Sequence, residues 1–127
     1  MIFISPLTVP YGKKSFSLNI NQYRNTHHQV LNKVKQLYKE MMRDQLVHQP
    51  MHDKIKLVYT LYPKTNRRTD IANVLSIHSK FFEDALVLYE LIPDDNYYHL
   101  TQIDYRFGAV DKHDARVEIE LTEINNA

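Results

Sequence analysis

Apolar residues recur at helical spacing between Ile71 and Tyr89. Ile71, Val74, Leu75, Phe81, Phe82, Ala85, Leu86 and Tyr89 share one face at about 100° per residue. The spacing predicts a helix, with Thr69 or Asp70 as N-cap and Pro93 as its stop. A second stripe beside the apolar one carries Asp70, Asn73, Ile77, Lys80 and Asp84. Packing requires an apolar stripe, but not a row holding an acid, an amide, a base and another acid. A second helical pattern runs from about Thr26 to Val47, with Val30, Val34, Leu37 and Met41 at a/d-like spacing, joined by Leu31 and Tyr38. Lys33, Lys35, Lys39 and Arg43 on its other faces read as solvated charges, or as a border along bound phosphates.

Alternation with period two marks the strands. In Ser15–Ile20, Phe16, Leu18 and Ile20 share a face; in Lys54–Tyr62, Ile55, Leu57, Tyr59 and Leu61 do. In His99–Phe107, Thr101, Ile103, Tyr105 and Phe107 oppose Leu100, Gln102, Asp104 and Arg106. Arg116–Ile124 turns Val117, Ile119 and Leu121 inward and Glu118 and Glu120 outward. Residues 1–14, punctuated by Pro6, Pro10 and Gly12, read as an extended arm, and the closing Asn-Asn-Ala as a frayed tail. The order β-α-β-α-β-β predicts an α+β fold: a small mixed sheet of about four strands with two helices packed on it, in a single domain of 127 residues.

Composition narrows the chemistry. Apolar residues make up 43% and charged ones 24%, ordinary for a soluble globular chain. The formal net charge is only +1, so any nucleic-acid surface has to come from local clustering. The absence of cysteine excludes disulfides, thiolate zinc sites and cysteine nucleophiles. Two glycines cannot build a Gly-rich phosphate loop, so no nucleotide cofactor is expected. No apolar run approaches the roughly 20 residues that span a bilayer, and the N-terminus lacks the basic start of a signal peptide. The expectation is a cytoplasmic protein with no membrane partner. None of the seven histidines falls in a zinc-binding spacing, and His78 reads as a satisfied core histidine.

The carboxylates are different, because Mg2+ and Mn2+ take oxygen ligands and a hydrolytic site needs two or three converging acids. Asp70 at the predicted helix start and Asp94–Asp95 beyond its end are about 36 Å apart if the helix is straight throughout. They meet in one chain only if the helix ends early and the chain turns back. Otherwise a dimer brings them together across subunits. Taken singly, Asp70 is also an ordinary cap, and Arg67 and Arg68 ordinary loop charges.

The stretch RRTDIAN (Arg67–Asn73), then Lys80, DAL (Asp84–Leu86) and Asp94–Asp95, resembles the RusA family of Holliday-junction resolvases, small phage and prophage endonucleases. IDYRF (Ile103–Phe107) and ARVEIELTEI (Ala115–Ile124) are similar to that family's closing strands, and NQYR (Asn21–Arg24) is compatible with its N-terminal part. The resemblance implies Mg2+- or Mn2+-dependent incision of branched DNA by a homodimer in a phage-infected or prophage-carrying bacterial host. It implies Asp70, Asp94 and Asp95 as metal ligands, with Asp70, Asp95 and Lys80 catalytic. DNA contacts would come from Arg67, Arg68, Lys64, Asn73 and Arg24. Two departures stand out. Ala72 occupies the position of the family's second acid, and Asn73 to Lys80 is one helical turn longer than in its best-known members. Ala72 favours the rival expectation, a RusA-fold protein that grips branched DNA or a host protein without cutting.

Overall fold

The computed structural model describes residues 1–124; the expected tail, Asn125–Ala127, lies outside them. In chain order the elements are β1 (Ile2–Ser5), β2 (Thr8–Tyr11), β3 (Lys14–Ser17), α1 (Ile20–Asn25), α2 (His28–Leu46), β4 (Ile55–Tyr62), α3 (Ile71–Leu88), β5 (Leu100–Phe107) and β6 (Arg116–Glu123). The fold is α+β. Its main sheet is mixed, in the order β1-β6-β4-β5, with β5 parallel to β4 and β6 antiparallel to both β4 and β1.

The period-two pattern sets which face of the sheet is buried. Register places Phe3, Ile119, Tyr59 and Tyr105 side by side across the four strands. Phe3, Leu57, Tyr59, Leu61, Val117, Ile119 and Leu121 are buried against the helices. The opposite face carries Glu118 and Glu120 beside Thr60 and Val58. Aromatic contacts tie the layers together: Phe82 of α3 meets Phe3 at 5.7 Å and Tyr59 at 6.2 Å. Phe81, one position back, packs against Phe16, Tyr23 and Tyr38. Burying these large side chains supplies the main driving force for folding, at about 25 cal/mol per Å² of apolar surface removed from water.

The N-terminal region differs from the expected arm. Residues 2–5 form an edge strand of the sheet, and Thr8–Tyr11 pairs with Lys14–Ser17 as a separate hairpin whose turn uses Gly12 at φ 59°. The predicted strand Ser15–Ile20 therefore ends at Ser17. Asn19 then caps a third helix, its side chain accepting from the Gln22 N–H at 2.9 Å. Pro6 and Pro10 are compatible with this because Pro6 lies between strands and Pro10 lies in a two-stranded hairpin, which has only edges.

The end of α3 sets the geometry of everything after it. The helix stops at Leu88, well before Pro93. Glu90 adopts the left-handed conformation at φ 63°. The Leu91 N–H then donates to the Leu86 carbonyl at 2.8 Å, and the Glu90 N–H to the Val87 carbonyl at 3.1 Å. This closure satisfies the last carbonyls and turns the chain back along the helix. Leu91 and Ile92 are fully buried and fasten the return.

Candidate functional site

The turned-back chain brings Asp95 alongside α3. An open cleft of about 470 Å³ is lined by Lys80, Glu83 and Asp84 of α3, Asp95, Lys35 of α2 and Tyr105 of β5, with Tyr23, Ser76 and Ser79 completing it. Lys80, Glu83 and Asp84 share this side of the helix because Glu83 and Asp84 follow Lys80 by three and four positions. Both lysines converge on the Tyr23 ring, with Lys35 Nζ at 5.5 Å and Lys80 Nζ at 5.8 Å from its centroid.

Glu83 is the least exposed acid of the cleft. Its Oε2 accepts hydrogen bonds from the hydroxyls of Tyr59, at 2.8 Å, and Ser79. Burial pushes its carboxyl above the ordinary glutamate range; those two hydrogen bonds oppose the shift, and the charges of Asp95 and Asp84 add to it. Asp95 is raised as well, first by partial burial and then by its contact with Asp94, with Asp84 contributing. Three acids that repel one another beside two lysines form a place where a cation lowers the electrostatic energy.

Asp70 lies elsewhere. It is the N-cap of α3, its carboxylate accepting from the Ala72 N–H at 3.0 Å. With Asn73, Arg67 and Arg68 it lines a separate polar hollow of about 480 Å³. Asp70 and Asp84 are fourteen positions apart, or about 21 Å along α3, so within one chain Asp70 does not share an ion with Asp84 or Asp95. The structure thus sets Lys80 and Asp95 on one cleft and parts Asp70 from both. Asp94 is engaged locally: one oxygen accepts from the Asp95 N–H at 2.8 Å and the other from Asn96 Nδ2 at 3.1 Å. These bonds, the first above all, lower its carboxyl below the usual aspartate range. Its role is to shape the turn that presents Asp95. Arg24 lies in the last turn of α1 and Lys64 in the loop between β4 and α3; neither lines either cavity.

Ile77 is buried in the core rather than standing on a polar stripe, so that stripe is interrupted. Lys35 is one of the α2 charges that the sequence offers as a border along bound phosphates, whereas Glu83, Tyr23 and Tyr105 carry no functional reading there. Only Glu83 left a local signal, its i, i+4 spacing from Ser79; the two tyrosines come from distant elements.

The donor chemistry fits a hard divalent ion. Among the described residues no three His, Asp or Glu side chains come close enough together to hold a metal by themselves. Mg2+ needs less, since it is commonly held by one or two carboxylates together with water and substrate phosphate. Asp84 and Asp95 supply that number. Among the described residues no helix is long and apolar enough to cross a membrane. Compared with models of known protein families and with curated proteins, the chain finds no match in either.

Proposed function

We propose that the chain is a RusA-like, structure-specific endonuclease that hydrolyses a phosphodiester of branched DNA as a homodimer, using Mg2+ or Mn2+. The observation that carries this reading is the cleft uniting Lys80, Asp84 and Asp95 with the half-buried Glu83. In this reading Asp84 and Asp95 hold the ion. When bound, it supplies an activated water and offsets charge developing on the phosphate. Lys80 and Lys35 place ammonium groups on the same wall, where they position the phosphate and draw the polyanion in. Glu83, raised above its ordinary range and braced by Tyr59 and Ser79, retains a proton at higher pH than an exposed acid. It is therefore placed to exchange one with a nearby reacting group. Arg67, Arg68 and Asn73 border the hollow at the other end of α3 and hold the flanking backbone.

The test is cleavage of four-way and three-way junctions with and without Mg2+. The full chain is expected to cut in Mg2+, and Asp84→Asn and Asp95→Asn each to lower the rate by about a hundredfold or more while leaving junction binding in place. Metal-independent binding with no cleavage of any branched substrate would overturn the enzyme reading. The residue at position 72 would then mark a RusA-fold binder, as the missing acid suggests.

A further inference from the structure

We propose that the apolar hollow beside the β4–α3 loop holds an unpaired nucleobase, whose flanking phosphates lie on Arg67 and Arg68; this rests on the DNA-acting reading above. The hollow measures about 380 Å³, with Leu61, Pro63 and Ile71 among its lining, Phe107 and Val110 exposed beside them, and both arginines at its rim.

The wall that presents Phe107 and Val110 is fixed in place. The Gly108 N–H donates to the Leu61 carbonyl at 2.9 Å and the Asp111 N–H to the Pro63 carbonyl at 2.8 Å. Residue 108 must be glycine for this approach, since a Cβ there would stand 2.6 Å from the Tyr62 ring. Arg116 helps hold that ring: its guanidinium lies 4.2 Å from the Tyr62 centroid and pairs with Asp111 at 2.9 Å. Phe107 is 57% exposed and Val110 44% exposed in a segment tied down at both ends. Their exposure is built in and does not come from a loose loop.

The charges choose the occupant. Arg67 and Arg68 line this apolar hollow on one side of their loop and the polar hollow holding Asn73 and Asp70 on the other. Among the described residues neither guanidinium makes an ion pair. A flat, uncharged ring that enters an apolar pocket with anions just outside it is the chemistry of a nucleotide in a strand. Base stacking on an aromatic side chain is sequence-tolerant and strong enough to matter. A base inside a duplex is already stacked, so the ligand is a nucleotide left unpaired, as at a branch point.

The experiment measures binding of the full chain to two branched DNAs, one with a single unpaired thymidine at the branch and one with an abasic unit in its place. The phosphates are the same, so only the base differs. The thymidine form is expected to bind about tenfold more tightly. Phe107→Ala and, as a milder second variant, Val110→Ser should remove that preference, and Phe107→Trp should keep it. Arg67→Ala with Arg68→Ala should weaken both DNAs alike and reduce the salt dependence. Equal binding of the two DNAs by the native chain, with Mg2+-dependent cleavage intact, overturns the base pocket and leaves the nuclease reading standing. A Phe107-dependent dimer with no base preference also overturns it, since a second copy would then occupy the hollow. Failure to bind either DNA or to cut removes both readings.

Discussion

Glu83 stands in surroundings unlike those of an exposed carboxylate: a half-buried position, two hydroxyl donors and two acidic neighbours. Its folded-state pKa is raised above its unfolded one, so its share of stability is present below the unfolded value and is lost as pH rises through the folded value. Glu83→Gln keeps an oxygen for Tyr59 and Ser79 but abolishes the charge. The variant is expected to melt at a higher temperature than the native chain at pH 7 and above, with the gain vanishing in acid. Thermal melts of both proteins across pH check this; a gain that persists below the ordinary glutamate pKa would show that packing, and not charge, is responsible. Asp70, by contrast, keeps a role any good N-cap could fill.

At the scale of elements, the stop of α3 decides whether a site exists. Glu90 holds the left-handed conformation without being glycine, a strain of about 1–2 kcal/mol for an ordinary L-residue. A β-branched residue tolerates that conformation worst. Glu90→Val is therefore expected to destabilise the fold by about 1–2 kcal/mol and to depress cleavage by displacing Asp95, whereas Glu90→Gly should fold at least as well. Urea unfolding and junction cleavage of the pair provide the measurement, and equal behaviour of the two variants would free the helix end from this role. The edge strand β5 also belongs to this scale. Its alternation is regular, yet Ile103 and Phe107 remain exposed because no strand covers its far side.

For the molecule as a whole, one buried polar link crosses the core. Ser5 of β1 is hydrogen-bonded at 2.7 Å to both the Tyr38 hydroxyl of α2 and His78 Nδ1 of α3. Burial lowers the His78 pKa to about 3, and its Nε2 finds no partner among the described residues. The unfolded chain takes up this proton near the usual histidine value and the folded chain does not. Stability is thus fully present above pH 6.5 and falls as pH drops toward the folded value, by at most about 1.4 kcal/mol per pH unit from this one group. Replacing the ring with His78→Leu should flatten the loss between pH 6.5 and pH 5 in denaturant titrations. An unchanged slope would assign acid sensitivity to other groups.

Local spacing was enough to place α2, α3, β4, β5 and β6, since amphipathic period and burial follow from the same residues: Val117, Ile119 and Leu121 face inward, as their alternation requires. The polar stripe at helical spacing also singled out Lys80 and Asp84 together with Asp70 and Asn73, while Asp95 stood out only as half of the Asp94–Asp95 pair. Local spacing found β3 but ran it three residues too far, to Ile20, and did not yield β1, β2 or α1, because four-residue strands and a six-residue helix carry too few periods to stand above their prolines and loops. The candidate site was legible only in pieces. A carboxylate's neighbours depend on where a helix stops and which way the chain leaves it, and here a single left-handed residue decides both. That turn brings Asp95 to Asp84 and Lys80 and leaves Asp70 at the opposite end of α3. The sequence by itself determined which side chains were available and on which face of each element they stand. Only the tertiary structure decided which of them meet, because meeting depends on long-range packing that no local period encodes.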